Sequence, residues 1–204
     1  MPHLILARHG ETAWNVERRY QGIKDISLNA RGIAQAAALV ERLADEHVDA
    51  IYASDMQRAH RTAQAIAAPR GLLVRTDPRL REIAFGEWEG LTYDEIQAQY
   101  PTDLARWLAD PEGCPPPGGE SLAQLGARVG SLMQDITAEH SHQTVLVVAH
   151  GGSLKALLCL ALGLELTGHW HFRLDPASVS EVHLYPEGAI ISLLNDCHHV
   201  EGIA

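Results

Sequence analysis

The run Leu4-Ile5-Leu6-Ala7-Arg8-His9-Gly10-Glu11-Thr12 is apolar for four residues and then turns abruptly polar. An unbroken apolar run of that length is what a strand buried on both faces requires, and its end sets a cation and an imidazole where the strand surfaces. Val145-Leu146-Val147-Val148-Ala149 repeats the pattern and ends at His150-Gly151-Gly152. Two core strands thus each deliver a histidine at their carboxyl ends, the place where open α/β sheets build ligand sites.

Working outward, residues 12–32 are polar and irregular, carry Asn15, Arg18, Arg19, Gln21 and Gly22, and read as a loop over the strand end. Ile33, Ala36, Ala37, Val40, Leu43 and Ala44 recur at helical spacing and predict an amphipathic helix packed on a sheet. A strand over 50–53 precedes Ser54, which is expected to cap a helix starting at Asp55 or Met56 and so to place Arg58 near its amino terminus. A third strand is predicted over 72–75, with residues 80–83 following a turn at Pro78. Residues 84–120, rich in aromatics and broken by Pro115-Pro116-Pro117-Gly118-Gly119, read as an inserted lid too small to bury a core of its own. A helix over 121–140, the strand over 145–149, an apolar helix over 154–162 and a hairpin over 179–194 complete the chain. Strands alternating with helices before a terminal hairpin imply one three-layer α/β/α domain spanning 1–204, its six-stranded mixed sheet mostly parallel.

With 204 residues, of which 46% are hydrophobic, the chain suits one domain with a sizeable core. A formal net charge of −10 without a basic run gives neither nucleic acid nor an anionic membrane a reason to bind, so an anionic ligand must be drawn by local cations. Cys114, Cys159 and Cys197 are odd in number and lack CxxC spacing, which argues against a disulfide framework and a thiolate metal site. Met1-Pro2-His3 leads directly into the first strand, and no run approaches the ~18 apolar residues of a membrane span. A cytoplasmic protein is expected.

Phosphoryl transfer needs a nucleophile, donors for the equatorial oxygens and an acid for the leaving oxygen. His9 offers a neutral imidazole. Arg8, Arg58 and a protonated His150 are expected to surround the phosphoryl group, with the amides of Gly151 and Gly152 at a helix start adding an anion-binding terminus. Glu82 is the candidate proton donor, expected to lie beneath residues 85–88; Glu11, Glu87 and Glu89 are alternatives at the same mouth. Two histidine clusters suggest metal instead: His169 with His171, which would share a face of a strand, and Cys197 with His198 and His199. Neither spacing supplies a third ligand, so no metal and no cofactor is expected.

These motifs resemble those of the histidine phosphatase superfamily, the group that contains the cofactor-dependent phosphoglycerate mutases. The likeness runs through Leu6 to Thr12 with Trp14-Asn15, Tyr52 to Ala59 with Thr62-Ala63, Leu80 to Ile83 with Phe85 to Leu91, and Val148 to Gly152, in the family's order. The resemblance implies that His9 becomes phosphorylated, that Arg8, Arg58 and His150 complete the phosphate pocket, and that Glu82 is the acid and base. It also implies that Asn15, Gln21, Gly22 and Gly151 help to hold substrate. Mutases of the family carry a longer insertion with paired arginines; here the region reads Leu104-Ala105-Arg106-Trp107-Leu108-Ala109-Asp110, which favours a small phosphatase. The expected activity is hydrolysis of a small phosphorylated metabolite, with α-ribazole 5′-phosphate, phosphoserine and sugar phosphates as candidates. A phosphoglycerate mutase and a non-catalytic phospho-ligand module are the alternatives, and a homodimer is left open. Specificity is expected from Trp88, Tyr93, Tyr100 and Trp107 of the lid.

Overall fold

A computed structural model describes residues 1–203. Strands β1 (His3–Arg8), β2 (Ala50–Ala53), β3 (Val74–Thr76), β4 (Thr144–Ala149), β5 (Val179–Tyr185) and β6 (Gly188–Asp196) form one sheet in the order β3-β2-β4-β1-β5-β6. All neighbours are parallel except those of β5, which runs antiparallel to β1 and to β6. The apolar runs in β1 and β4 follow from burial on both sides. Leu4, Leu6, Val145 and Val147 face a core under helices α6 (Leu122–Glu139) and α7 (Gly151–Ala161). Ile5, Ala7, Leu146 and Val148 face a second core under α2 (Ala30–Arg42) and α3 (Gln57–Ala67). The predicted three-layer architecture and six-stranded, mostly parallel mixed sheet are present. No helix among the described residues is long and apolar enough to cross a membrane.

Local differences have identifiable causes. Helix α2 starts at Ala30, three residues before the predicted stripe, because the Asn29 side chain accepts from the Gly32 amide at 2.7 Å. That start turns Gln35, Ala36 and Leu39 inward and leaves Ile33 56% exposed. Ser54 does not cap α3: its hydroxyl reaches the Met56 amide at 3.3 Å, and the first helical amide, that of Gln57, donates instead to Asp25 at 2.8 Å. Strand β3 begins only at Val74, with Leu73 86% exposed, and the stretch after Pro78 is a 3₁₀ turn over Pro78–Leu80 with no strand following.

The segment 84–120 departs most from expectation. It meets Trp14 of the short α1 (Ala13–Val16) at Gly90, contains α4 (Tyr93–Gln99) and α5 (Pro101–Ala109), and does bury a small core of Trp88, Ile96, Leu104 and Trp107. Two indole rings meeting edge to face, with centroids 5.7 Å apart, supply the area that so short a segment otherwise lacks. Its ends are tied together by Glu120 N–H donating to Ala84 O (2.8 Å) and Glu87 N–H to Pro117 O (3.0 Å).

Candidate active site

Parallel pairing of β1 with β4 in the register Arg8↔Ala149 carries the chain forward so that His9 emerges beside His150. Their ring centroids lie 5.0 Å apart and both side chains are buried. His9 Nδ1 is 2.7 Å from the Gly10 carbonyl, which can only accept, so Nδ1 carries the proton and Nε2 keeps its lone pair. Burial, reinforced by the Arg58 and Arg8 cations, holds the His9 pKa well below that of an ordinary histidine.

Arg58, in the first turn of α3, is completely buried. Its Nη1 and Nη2 donate to the carbonyls of Lys24 and Gly22, both at 2.8 Å, and its Nε donates to His150 Nδ1 at 3.1 Å. Burial draws its pKa down to about 10, which leaves it charged at neutral pH. Because a guanidinium can only donate, Nδ1 of His150 must be the acceptor, and its proton sits on Nε2, which has no protein partner. Burial and the surrounding cations push the His150 pKa well down as well. The expected protonated His150 is therefore corrected: with Arg58 donating into the ring, the imidazole is neutral and offers one N–H. Arg8 ends β1, donates through Nη1 to Leu174 O at 2.6 Å, and keeps a buried Nε with no partner.

Among the four glutamates weighed from sequence, only Glu82 lines the cavity next to His9. Glu11 is held by Asn29 and Arg31 (both 2.9 Å), and Glu89 accepts from the amides of Ile23 and Phe85. Glu82 is partly buried on a cavity wall that it shares with Phe85, while Trp88 lies in the core of that segment. Its carboxylate accepts the Gly152 amide at 2.9 Å. A β-carbon at Gly152 would meet the Glu82 carboxylate and displace it from this position. The amide at Gly152 is thus committed to Glu82 and does not add to an anion-binding terminus.

A cavity of about 230 Å³ joins Arg8, His9, Asn15, Gln21, Arg58 and Glu82. Asn15 accepts from Thr12 N–H at 3.0 Å through Oδ1, which leaves its amide NH₂ for a ligand. Gln21 is buried, with Oε1 unpartnered. Gly22 is not on the wall; at φ +51° it turns its carbonyl onto Arg58, and its effect on a ligand is through that arginine. Gly151 lines a second, wider cavity of about 240 Å³ that shares Arg8, Tyr20, Glu82 and Phe85 with the first.

A buried imidazole with a free Nε2, two arginines and one carboxylate around a single cavity, with the unpartnered Nε2–H of His150 in the ring packed beside His9, match a phosphoryl-transfer site. The model for the histidine phosphatase superfamily (branch 1) matches residues 4–197. The chain belongs to that superfamily. It is 40% identical over 199 residues to phosphoserine phosphatase 1 of Hydrogenobacter thermophilus, covering 97% of this chain and 94% of the relative. It is 31% identical to the adenosylcobalamin/alpha-ribazole phosphatase of Escherichia coli, covering 94% and 95%. Bacillus stearothermophilus YhfR has the same fold, with a TM-score of 0.90 at 35% identity, covering 98% of this chain and 100% of that one. This member of the superfamily is a phosphatase, as its motifs imply.

The wider cavity contains residues that sequence reasoning missed. Lys155, His169, Trp170 and Leu174 share its wall with Phe85 and Trp107. Of the four lid aromatics expected to read substrate, Trp107 alone lines it; Trp88 is fully buried, and neither Tyr93 nor Tyr100 reaches it. Lys155 carried a usable signal, four residues after Gly151 on an apolar helix and hence on the same face. His169 and Trp170 carried none, because they lie in a 3₁₀ segment, Leu166–His171, whose approach depends on tertiary packing. Its helical turn also undoes the shared strand face expected of His169 and His171. At the opposite end of β1, His3, Glu181 and His183 bring three possible metal-ligand atoms within 4.8 Å of one another, remote from His9.

Proposed function

We propose that the protein hydrolyses small phosphomonoesters through a phosphohistidine formed on Nε2 of His9. One observation carries this reading: Nδ1–H of His9 donates to the Gly10 carbonyl, which leaves the other nitrogen with a lone pair in a ring that lines the same cavity as Arg8, Arg58 and Glu82. The phosphoryl oxygens are held by Arg8, Arg58, the Nε2–H of His150 and the side-chain amides of Asn15 and Gln21. His9 Nε2 attacks phosphorus in line, the bond to the ester oxygen breaks, and Glu82 gives its proton to that oxygen. Water then attacks the phosphohistidine while the Glu82 carboxylate takes the water proton, and inorganic phosphate leaves with His9 restored.

Hydrolysis is favoured over mutase transfer because α5, which occupies the region of the mutase arginine pair, offers a single arginine, Arg106, that lines neither cavity. The relatives named above support phosphoserine and α-ribazole 5′-phosphate as substrates to test first. We place the protein in the cytoplasm, in keeping with three unpaired cysteines. Phosphate release from a panel of these esters, sugar phosphates and phosphoglycerates tests the reading, and His9→Ala should reduce it by roughly four orders of magnitude or more. Interconversion of 2- and 3-phosphoglycerate outpacing phosphate release would reverse it in favour of a mutase.

A further inference from the structure

The wider cavity beside the phosphate end is walled by Phe85, Trp107, Leu125, Trp170 and Leu174; apart from Arg8 and Glu82, which it shares with the phosphate cavity, one charged side chain breaks this apolar surface. That side chain is Lys155, one of only two lysines in the chain. Its ammonium has no hydrogen bond to any described residue, and burial together with the nearby Arg8 cation lowers its pKa from the ordinary lysine value, against the smaller opposing influence of Glu82 and Asp175. A partly buried cation without a partner is costly, and lysines on open surfaces avoid the cost by reaching into water. Here the stem lies in α7, four residues past Gly151, so the head is kept in the cavity that adjoins the phosphate site.

Charge balance shows what is missing. A phosphoryl dianion matches Arg8 and Arg58, so Lys155 is one cation more than a phosphate requires. Glu82 is the only carboxylate on the wall of the wider cavity, and as the proton donor of the proposed reaction it is neutral when substrate binds, so it does not balance Lys155. His169, on the same wall, donates Nδ1–H to Leu166 O at 2.9 Å and presents a second nitrogen that accepts. It adds no positive charge, because burial lowers its pKa. A lone ammonium suits the point charge of a carboxylate, whereas a second phosphoryl group calls for a guanidinium fork or several donors.

We propose that Lys155 is a specificity-determining residue that binds a carboxylate on the alcohol portion of the substrate, so that the protein prefers phosphomonoesters of hydroxy acids. The assignment rests on the phosphomonoester reading of the neighbouring site. Apolar contact with Phe85, Trp107 and Trp170 covers the body of the alcohol, and Lys155 fixes its charged end.

Two esters of nearly equal shape isolate the charge: 4-carboxyphenyl phosphate and 4-carbamoylphenyl phosphate, compared on wild type, Lys155→Arg and Lys155→Met. Wild type should favour the carboxylate by at least about tenfold in kcat/KM, expressed in KM, as expected of one charge-assisted contact. Lys155→Arg should keep most of that preference, and Lys155→Met, checked for an intact thermal transition, should bring the ratio to within about twofold of unity. A wild-type ratio near one, or a preference that survives Lys155→Met, overturns the assignment. Calorimetric binding of 4-hydroxybenzoate and 4-hydroxybenzamide provides a readout that needs no turnover. Carboxylate-selective, Lys155-dependent binding in a protein that cleaves neither ester would uphold Lys155 and sink the hydrolase reading. Cleavage of both esters without selectivity would do the opposite, and neither cleavage nor selective binding would remove both.

Discussion

The carbonyl of Gly10 accepts a hydrogen bond from Nδ1–H of His9, and the guanidinium of Arg58 donates to Nδ1 of His150, so the two neighbouring imidazoles carry opposite poles at Nε2. One shows a lone pair and the other an N–H. Neither needs to be charged, and burial among arginines ensures that neither is. The same kind of positioning holds Glu82, whose carboxylate a β-carbon at Gly152 would displace from the Gly152 amide. Gly152→Ala should therefore mimic damage to Glu82 while leaving the thermal transition in place, with turnover of alkyl esters down by about 10²–10⁴-fold, the usual worth of a general acid. Glu82→Gln should show the same loss on phosphoserine and far less on p-nitrophenyl phosphate, whose leaving oxygen needs little protonation. Equal losses on both esters would contradict the acid role. Arg8, His9 and His150 were legible in sequence because an apolar run that stops at a charged residue marks a strand end. The neutral state of His150 was not, since it depends on a hydrogen bond from a residue 92 positions away.

At the scale of elements, the sheet and its flanking helices follow directly from local pattern, while the segment 84–120 follows from contacts that pattern does not display. The unbroken apolar runs of β1 and β4, buried on both faces, and the Ser121 cap of α6 are written into short windows of sequence. The packing of Trp88 on Trp107, and of Trp107 on Trp170 at 5.5 Å between centroids, joins residues from three separate stretches. Trp88→Ala should cost about 3–5 kcal/mol, as large aromatic truncations in packed cores do, with the loss seen in the urea midpoint. Because Trp107 shapes the wider cavity, KM for the preferred ester should rise in the same variant. An unchanged midpoint would mean that this small core contributes nothing to the fold. The expectation that specificity lies in the inserted segment alone is too narrow for a cavity whose wall also draws on α6, α7 and the 3₁₀ segment at Leu166–His171.

The molecule as a whole carries ten net negative charges yet concentrates cations at one sheet end, so the force that draws an anionic substrate is local. Its histidines set the acid limit of stability. His3, His9, His150, His169 and His199 all have pKa values lowered by burial and are neutral in the folded protein. Below about pH 6.5 the unfolded chain protonates these groups and the folded one does not, so folding must release protons. Stability is full above pH 6.5 and declines as pH falls through and beneath it. Each group contributes up to about 1.4 kcal/mol per pH unit while it is protonated only in the unfolded chain. Urea midpoints should be distinctly lower at pH 5.5 than at pH 7.5, and His9→Asn should flatten that dependence by about one proton; a midpoint indifferent to pH over this range would contradict the buried neutral imidazoles.

The central claim is that phosphate passes through Nε2 of His9. Mixing the enzyme with ³²P-labelled phosphoserine, or whichever ester proves best, and quenching in alkali within one turnover should trap label that survives base and is released by acid. Peptide mapping should place that label on the peptide containing His9, and ³¹P spectroscopy of the denatured phosphoprotein should assign it to the Nε2 isomer. Label on His150, label on Nδ1, or a His9→Ala enzyme that turns over at a comparable rate would contradict the account.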